Sequence, residues 1–156
     1  MIEIDISGFG QRTFEHLVMD YNGTLALDGR VQPGVFSRLS QLKNSMQIHI
    51  LTADTYGTVR TTFGHTDYTV HVLTTGDERA AKAEYVRELG PQSCVCLGNG
   101  NNDAAMLMEA GLSIAVLQPE GVAMATLSAA HILVPGIEAG LDLLLHTTRL
   151  KATLRT

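Results

Sequence analysis

Short apolar runs separated by amphipathic stretches constrain this chain more than any other feature. Leu17-Val18-Met19, Met46–Leu51, Val70–Leu73, Cys94–Leu97, Ser113–Leu117 and His131–Val134 read as buried strands. Between them the pattern predicts helices: Pro33–Lys43 with Val35, Leu39 and Leu42 on one face, then Thr55–Phe63, and Glu78–Leu89 stopped by Gly90-Pro91. Asn102–Ala110, Glu120–Ala129 and Ile137–His146, the last with a basic tail, complete the set. Strands alternating with helices in this way build an α/β fold of three layers around a doubly wound, mainly parallel sheet. At the start, Met1–Ile6 alternates apolar and acidic residues, Ser7–Gly10 makes a turn, and Thr13–Met19 is the second strand of an antiparallel hairpin at the edge or flank of the sheet. A chain of 156 residues with no repeat or low-complexity linker fits one domain, 1–156.

Charge and composition remove several function classes. A net charge of −5 with scattered basic residues argues against nucleic acid or an anionic membrane surface as partner, and suits a divalent cation. No apolar stretch approaches the ~18 residues of a membrane span, and the acidic start lacks a signal-peptide core. Cys94 and Cys96 sit two apart in one strand, on the same face, where mutual pairing would strain the backbone. They read as core thiols of a cytoplasmic protein.

Two strand ends hold the chemistry. Asp20-Tyr21-Asn22-Gly23-Thr24 follows Leu17-Val18-Met19, and Gly98-Asn99-Gly100-Asn101-Asn102-Asp103 follows Cys94–Leu97. In an open α/β sheet, ligands bind at the carboxyl ends of the strands. Asp20 can act as a nucleophile. Thr52 offers a hydroxyl and a backbone N–H to a phosphate oxygen, with Ala53 beside it, and Lys82 offers a positive charge. Asp20 and Asp103 with backbone carbonyls suit Mg²⁺, which takes few carboxylates and several waters. Gly23, Gly98 and Gly100 permit close backbone approach.

These segments resemble the four motifs of the haloacid dehalogenase (HAD) superfamily of phosphohydrolases, in its P-type ATPase-like branch. More narrowly, they resemble the stand-alone proteins described as soluble P-type ATPases. Asp20–Leu25 is similar to Asp-x-Asp-Gly-Thr, Ile48–Thr52 to an apolar strand ending in Ser/Thr, and Lys82 with Tyr85-Val86 and Leu89-Gly90 to the third motif. Gly98–Asp103 is similar to Gly-Asp-Gly-x-Asn-Asp. The resemblance spans Leu17 to Val134. It implies a Rossmann-like core and catalysis by Asp20, Thr52 and Lys82. It also implies phosphate binding by Gly23, Thr24, Thr52, Ala53 and Lys82, and Mg²⁺ held by Asp20, Asn22, Asn99 and Asp103 with Asn102 in support. The substrate would be a phosphorylated small molecule or macromolecule.

The chain departs from the family at two positions. Asn22 stands where the phosphatases carry the general acid/base Asp, a group worth about 10²–10⁴-fold, so slow turnover is expected. Asn99 ligates without adding charge. The alternative reading is a non-catalytic Mg²⁺- or phosphate-binding regulatory domain, or a soluble partner of a membrane transporter. Thirty-one residues separate Asp20 from Thr52 and twenty-nine separate Thr52 from Lys82, too few for a cap domain at either place. Structural roles are expected for Asp54 and for Asn101-Asn102 as helix caps, and for His16, His49, His71 and His131 as packed or edge strand residues. The Leu141, Leu144, Leu145 and Leu150 stripe is expected as helix core, with a homo-oligomer interface as its other use.

Overall fold

The computed structural model describes residues 1–53, 58–73 and 76–156. Asp54 and the start of the helix expected from Thr55 lie outside the described residues. The chain runs β1 (Ile2–Ile6), β2 (Gly10–Phe14), β3 (His16–Asp20), β4 (Ala26–Leu27), β5 (Arg30–Val31), α1 (Val35–Leu42), β6 (Gln47–Thr52), α2 (Val59–Phe63) and β7 (Thr69–Val72). It continues through α3 (Glu78–Leu89), β8 (Cys94–Gly98), α4 (Ala104–Glu109), β9 (Leu112–Val116), α5 (Met124–Ala129), β10 (Ile132–Val134), α6 (Ile137–Leu145) and α7 (Thr147–Leu154). Six strands pair in the order β10-β9-β8-β3-β6-β7, every pair parallel. β3 lies at the centre, bonded to β6 on one side and β8 on the other.

The two-residue period of a strand sorts side chains between the faces. Leu17 and Met19 of β3, Ile48 and Ile50 of β6, and Val95 and Leu97 of β8 point into the larger core, where Leu39, Leu42, Leu141 and Leu144 of α1 and α6 cover them. Val18, Leu51, Cys94 and Cys96 point the other way, onto Val86 of α3 and Met106 and Leu107 of α4. Both faces of the sheet are therefore buried, as a parallel sheet requires. The thiols of Cys94 and Cys96 are free and buried, and burial raises both above the usual thiol range, Cys94 to about 11.

Four expectations are corrected. The strand predicted over Thr13–Met19 breaks at Glu15, whose N–H bonds the Ser93 carbonyl at 2.9 Å while its carbonyl accepts from Gln47 at 2.8 Å. Phe14 thus ends β2, a partner of β1 in a separate two-stranded sheet, and His16 starts the central strand. The helix predicted from Glu120 begins at Met124, because Gln118 and Gly121 exchange backbone hydrogen bonds in a tight turn with Gly121 at φ 98°. The Asn102–Ala110 helix opens with a 3₁₀ turn over Asn101–Asp103 before α4. The basic tail after His146 is a second helix, α7; Leu141, Leu144 and Leu150 are buried, and Leu145 packs against the same core. No helix among the described residues is long and apolar enough to cross a membrane.

Candidate active site

Strand parity aims the first carboxylate. Asp20 shares the face of Val18, so its side chain turns toward α3 rather than toward the larger core. Lys82 lies one helical turn before Val86 on that helix and is buried with it. Its Nζ donates to Asp20 Oδ1 at 2.6 Å and to Asp103 Oδ1 at 2.7 Å, joining the ends of β3 and β8 through one ammonium. Asp103 is fully buried, and its Oδ2 accepts from the backbone N–H groups of Asn99 (3.0 Å) and Gly100 (2.9 Å). Gly98 makes this possible: a Cβ there would stand 2.5 Å from Asp103 Cβ.

Burial, followed by the charge of Asp103, raises the Asp20 carboxyl from 3.8 to about 7, and the Lys82 contacts only partly offset this. Burial also works against the Lys82 charge, but the two carboxylates outweigh it and hold the ammonium above its ordinary range. Asp20 Oδ2 accepts from Thr24 Oγ1 at 3.3 Å.

The Asp20 loop folds back on itself, with Gly23 N–H bonding the Ala26 carbonyl (2.7 Å) and Gly23 at φ 80°, a conformation that favours glycine. Gln118 Nε2 donates to the Thr24 carbonyl at 2.8 Å from the turn after β9. Asn22 lines an open cleft of about 450 Å³ with Asn99, Gly100, Asn102, Glu120 and Gly121. Its Oδ1 is sealed from solvent and accepts no hydrogen bond among the described residues. Asn99 Nδ2 donates to Glu120 Oε1 at 3.0 Å. Asn102 does not cap a helix; the Asp103 carboxylate already closes that turn, and Asn102 Nδ2 reaches Glu78 Oε2 on α3 at 2.9 Å. Thr52 ends β6, buried, with Ala53 half-buried after it.

The structure therefore brings Asp20, Thr24, Lys82 and Asp103 into direct contact and gathers Asn22, Asn99 and Asn102 around the adjoining cleft. Sequence reasoning missed Gln118, Glu120 and Glu78. Glu120 fell inside a predicted helix, although Pro119 and Gly121 on either side of it are turn residues and were the available signal.

The donors fit Mg²⁺. Among the described residues no group of three His, Cys, Asp or Glu side chains is placed to hold a metal. The cleft instead offers the hard oxygens of Asn22, Asn99 and Glu120 with open space for water, and Asp20 stands two residues before Asn22 at the end of β3. Asp103 contributes negative charge from behind, since Lys82 and the backbone already occupy its oxygens.

Away from the site His49 is buried and His16 half-buried, while His71 on the edge strand β7 and His131 are exposed. His49 is buried between His16 (3.1 Å) and the Tyr85 hydroxyl (2.9 Å), His71 lies against the Tyr85 ring, and His131 Nδ1 meets Ser113 Oγ at 2.8 Å.

No family model matches the chain. Among solved structures, the fold is similar to a candidate HAD family hydrolase from Streptomyces avermitilis (TM-score 0.65, 22% identity, covering 90% of this chain and 87% of that one). It is also similar to a 3-deoxy-D-manno-octulosonate 8-phosphate phosphatase from Moraxella catarrhalis in complex with magnesium and phosphate ions (TM-score 0.62, 16% identity, 89% and 90% covered). The cobalt-bound enzyme of that name from Haemophilus influenzae gives a TM-score of 0.61 at 12% identity, over 92% and 94% of the two chains. These likenesses establish the HAD hydrolase fold. In sequence, the uncharacterized protein MJ0073 of Methanocaldococcus jannaschii is 40% identical over 84 residues, 51% of this chain and 90% of that protein. With the HAD hydrolase fold as its frame, the chain belongs to the family of MJ0073.

Proposed function

We propose that this protein is a Mg²⁺-dependent phosphohydrolase that works through an aspartyl-phosphate on Asp20. The observation that carries the reading is the buried Lys82 ammonium bonded to both Asp20 and Asp103 at the carboxyl end of the parallel sheet. A lysine so placed supplies fixed positive charge where a phosphoryl group gathers negative charge. The phosphate-bound neighbour of the same fold supports it.

In the first step an Asp20 carboxylate oxygen attacks phosphorus and the bond to the leaving oxygen breaks. Lys82 and the Thr52 hydroxyl hold the phosphoryl oxygens, and the turn of Gly23 and Thr24 lets backbone approach them. In the second step water attacks phosphorus, the acyl-phosphate bond breaks, and the Asp20 carboxylate and inorganic phosphate are released. Asp20, Asn22 and Asn99 would hold Mg²⁺, which when bound would supply positive charge to the transferring group. Asp103 fixes Lys82. Asn22 neither donates nor accepts a proton at either step, so the leaving oxygen and the attacking water exchange protons with solvent or substrate, and turnover is slow. The motif pattern supports the P-type ATPase-like branch, and the two free buried thiols support a reducing compartment such as the cytoplasm.

A panel of phosphomonoesters with Mg²⁺, run on wild type, Asp20→Asn and Asn22→Asp, tests this. Wild type should hydrolyse at least one ester, Asp20→Asn none, and Asn22→Asp should be faster by about 10²-fold or more. Beryllium fluoride with Mg²⁺ should form an adduct on Asp20. Absence of both hydrolysis and adduct would overturn the proposal, and cation or phosphate binding alone would assign a binding role.

A further inference from the structure

The turn between β9 and α5 is fastened to the site from three directions. Gln118 Nε2 bonds the Thr24 carbonyl at 2.8 Å, on the Asp20 loop. Ala123 N–H bonds the Asn99 carbonyl at 2.8 Å, on the loop after β8. Between these anchors, Gln118 and Gly121 close the tight turn that holds Glu120 at its tip. Its Oε1 accepts from Asn99 Nδ2 at 3.0 Å and passes so close to Gly23 that a Cβ there would be 2.1 Å away. Glu120 is solvent-exposed by area yet fixed over the loop that carries Asp20 and Asn22.

The charges explain why such a fixture is useful. Asp20, Asp103 and Lys82 together leave one net negative charge, and both Asp103 oxygens are already bonded. Neither Asn22 nor Asn99 adds charge, and among the residues that line the cleft the carboxylate is that of Glu120. We propose that Glu120 supplies the second carboxylate of the divalent-cation site, so that Asn99 and Glu120 act as a pair in which the charge has moved from the strand-end loop to the facing turn. This rests on the reading of the cleft as a Mg²⁺ site.

An amide at position 99 suits the pair. Its Nδ2 holds Glu120 while its Oδ1 remains a neutral oxygen donor. A carboxylate at 99 would instead set two like charges at hydrogen-bond distance. Asn22 lines the same cleft beside the pair.

Calorimetric titration of the metal-free protein with Mg²⁺ tests the assignment without reference to catalysis. Wild type should bind, and Asp20→Asn should bind at least tenfold more weakly. Glu120→Gln, which keeps an acceptor for Asn99 Nδ2, should also weaken binding about tenfold or more while unfolding at the wild-type temperature without Mg²⁺. The double variant Asn99→Asp/Glu120→Gln, which returns the carboxylate to the strand-end loop, should recover affinity to within about threefold of wild type. Wild-type affinity in Glu120→Gln, with weak binding by Asp20→Asn, would overturn the role of Glu120 and leave the Mg²⁺ site standing. No Mg²⁺ binding by wild type would overturn both.

Discussion

Lys82 carries two obligations that pull its surroundings in different directions. Removed from water, the ammonium is tolerable only because Asp20 and Asp103 both touch it, and those carboxylates are tolerable only because of Lys82. Replacing it with the similarly sized, uncharged Met should cost about 3–5 kcal/mol of folding stability, more at pH 8 than at pH 5, read from denaturant titrations. A smaller or pH-independent loss would mean that the pair is not held as described. Asp20 has its own pH signature. Its carboxyl binds a proton more tightly in the folded protein, at about 7, than at its ordinary 3.8. The associated stability is complete below pH 3.8 and is lost as pH rises through about 7. Asp20→Asn should therefore flatten the melting temperature of the metal-free protein across this interval, and should melt above wild type at pH 8.

At the scale of elements, the site depends on how closely the loop after β8 returns to its own strand. Gly98→Ala would drive a methyl into Asp103 Cβ, a neighbour fixed by two backbone N–H groups and by Lys82. The expected cost is about 1–3 kcal/mol, with a comparable loss of Mg²⁺ affinity. Gly136→Ala, on extended backbone, meets no atom within 4 Å and serves as the control for adding a methyl to a glycine. Elements were legible in the sequence where burial alone decides them. Cys94–Leu97 and the mainly apolar Met46–Leu51 belong inside a sheet, and the structure has them as β8 and β6 within a residue or two. Thr13–Met19 reads as one strand because it holds no Gly, Pro, Asn or Asp to mark a break. Only the pairing of Glu15 with Ser93 and Gln47, distant in sequence, tells the chain to change sheets. The turn at Glu120 was lost in the same way, since an apolar, alanine-rich stretch follows directly and masks where the helix begins.

For the whole molecule, the order of the strands was not legible, although their number and direction nearly were. Periodicity says that a strand is buried on both faces; it carries no information on which strand lies beside it. The site followed the same rule. Asp20, Thr52, Lys82 and Asp103 could be named from their motifs, whereas Gln118, Glu120 and Glu78 reach the site through contacts from other elements. Such residues have spacing fixed by the tertiary fold alone.

The central place of β3 also determines how the protein can open. A strand bonded along both edges releases its amide protons only when the entire sheet comes apart, whereas the turn carrying Glu120 is tied by a few bonds that can part separately. Deuterium uptake should accordingly be slowest at Leu17–Met19, at a rate set by global unfolding, and fast at Glu120 and Gly121 until Mg²⁺ slows it. Equal uptake at the two places would contradict this division. The proposed nucleophile, Asp20, is thus mounted on the last part of the molecule to yield, and entry to the cleft can be gated beside it without loosening its foundation.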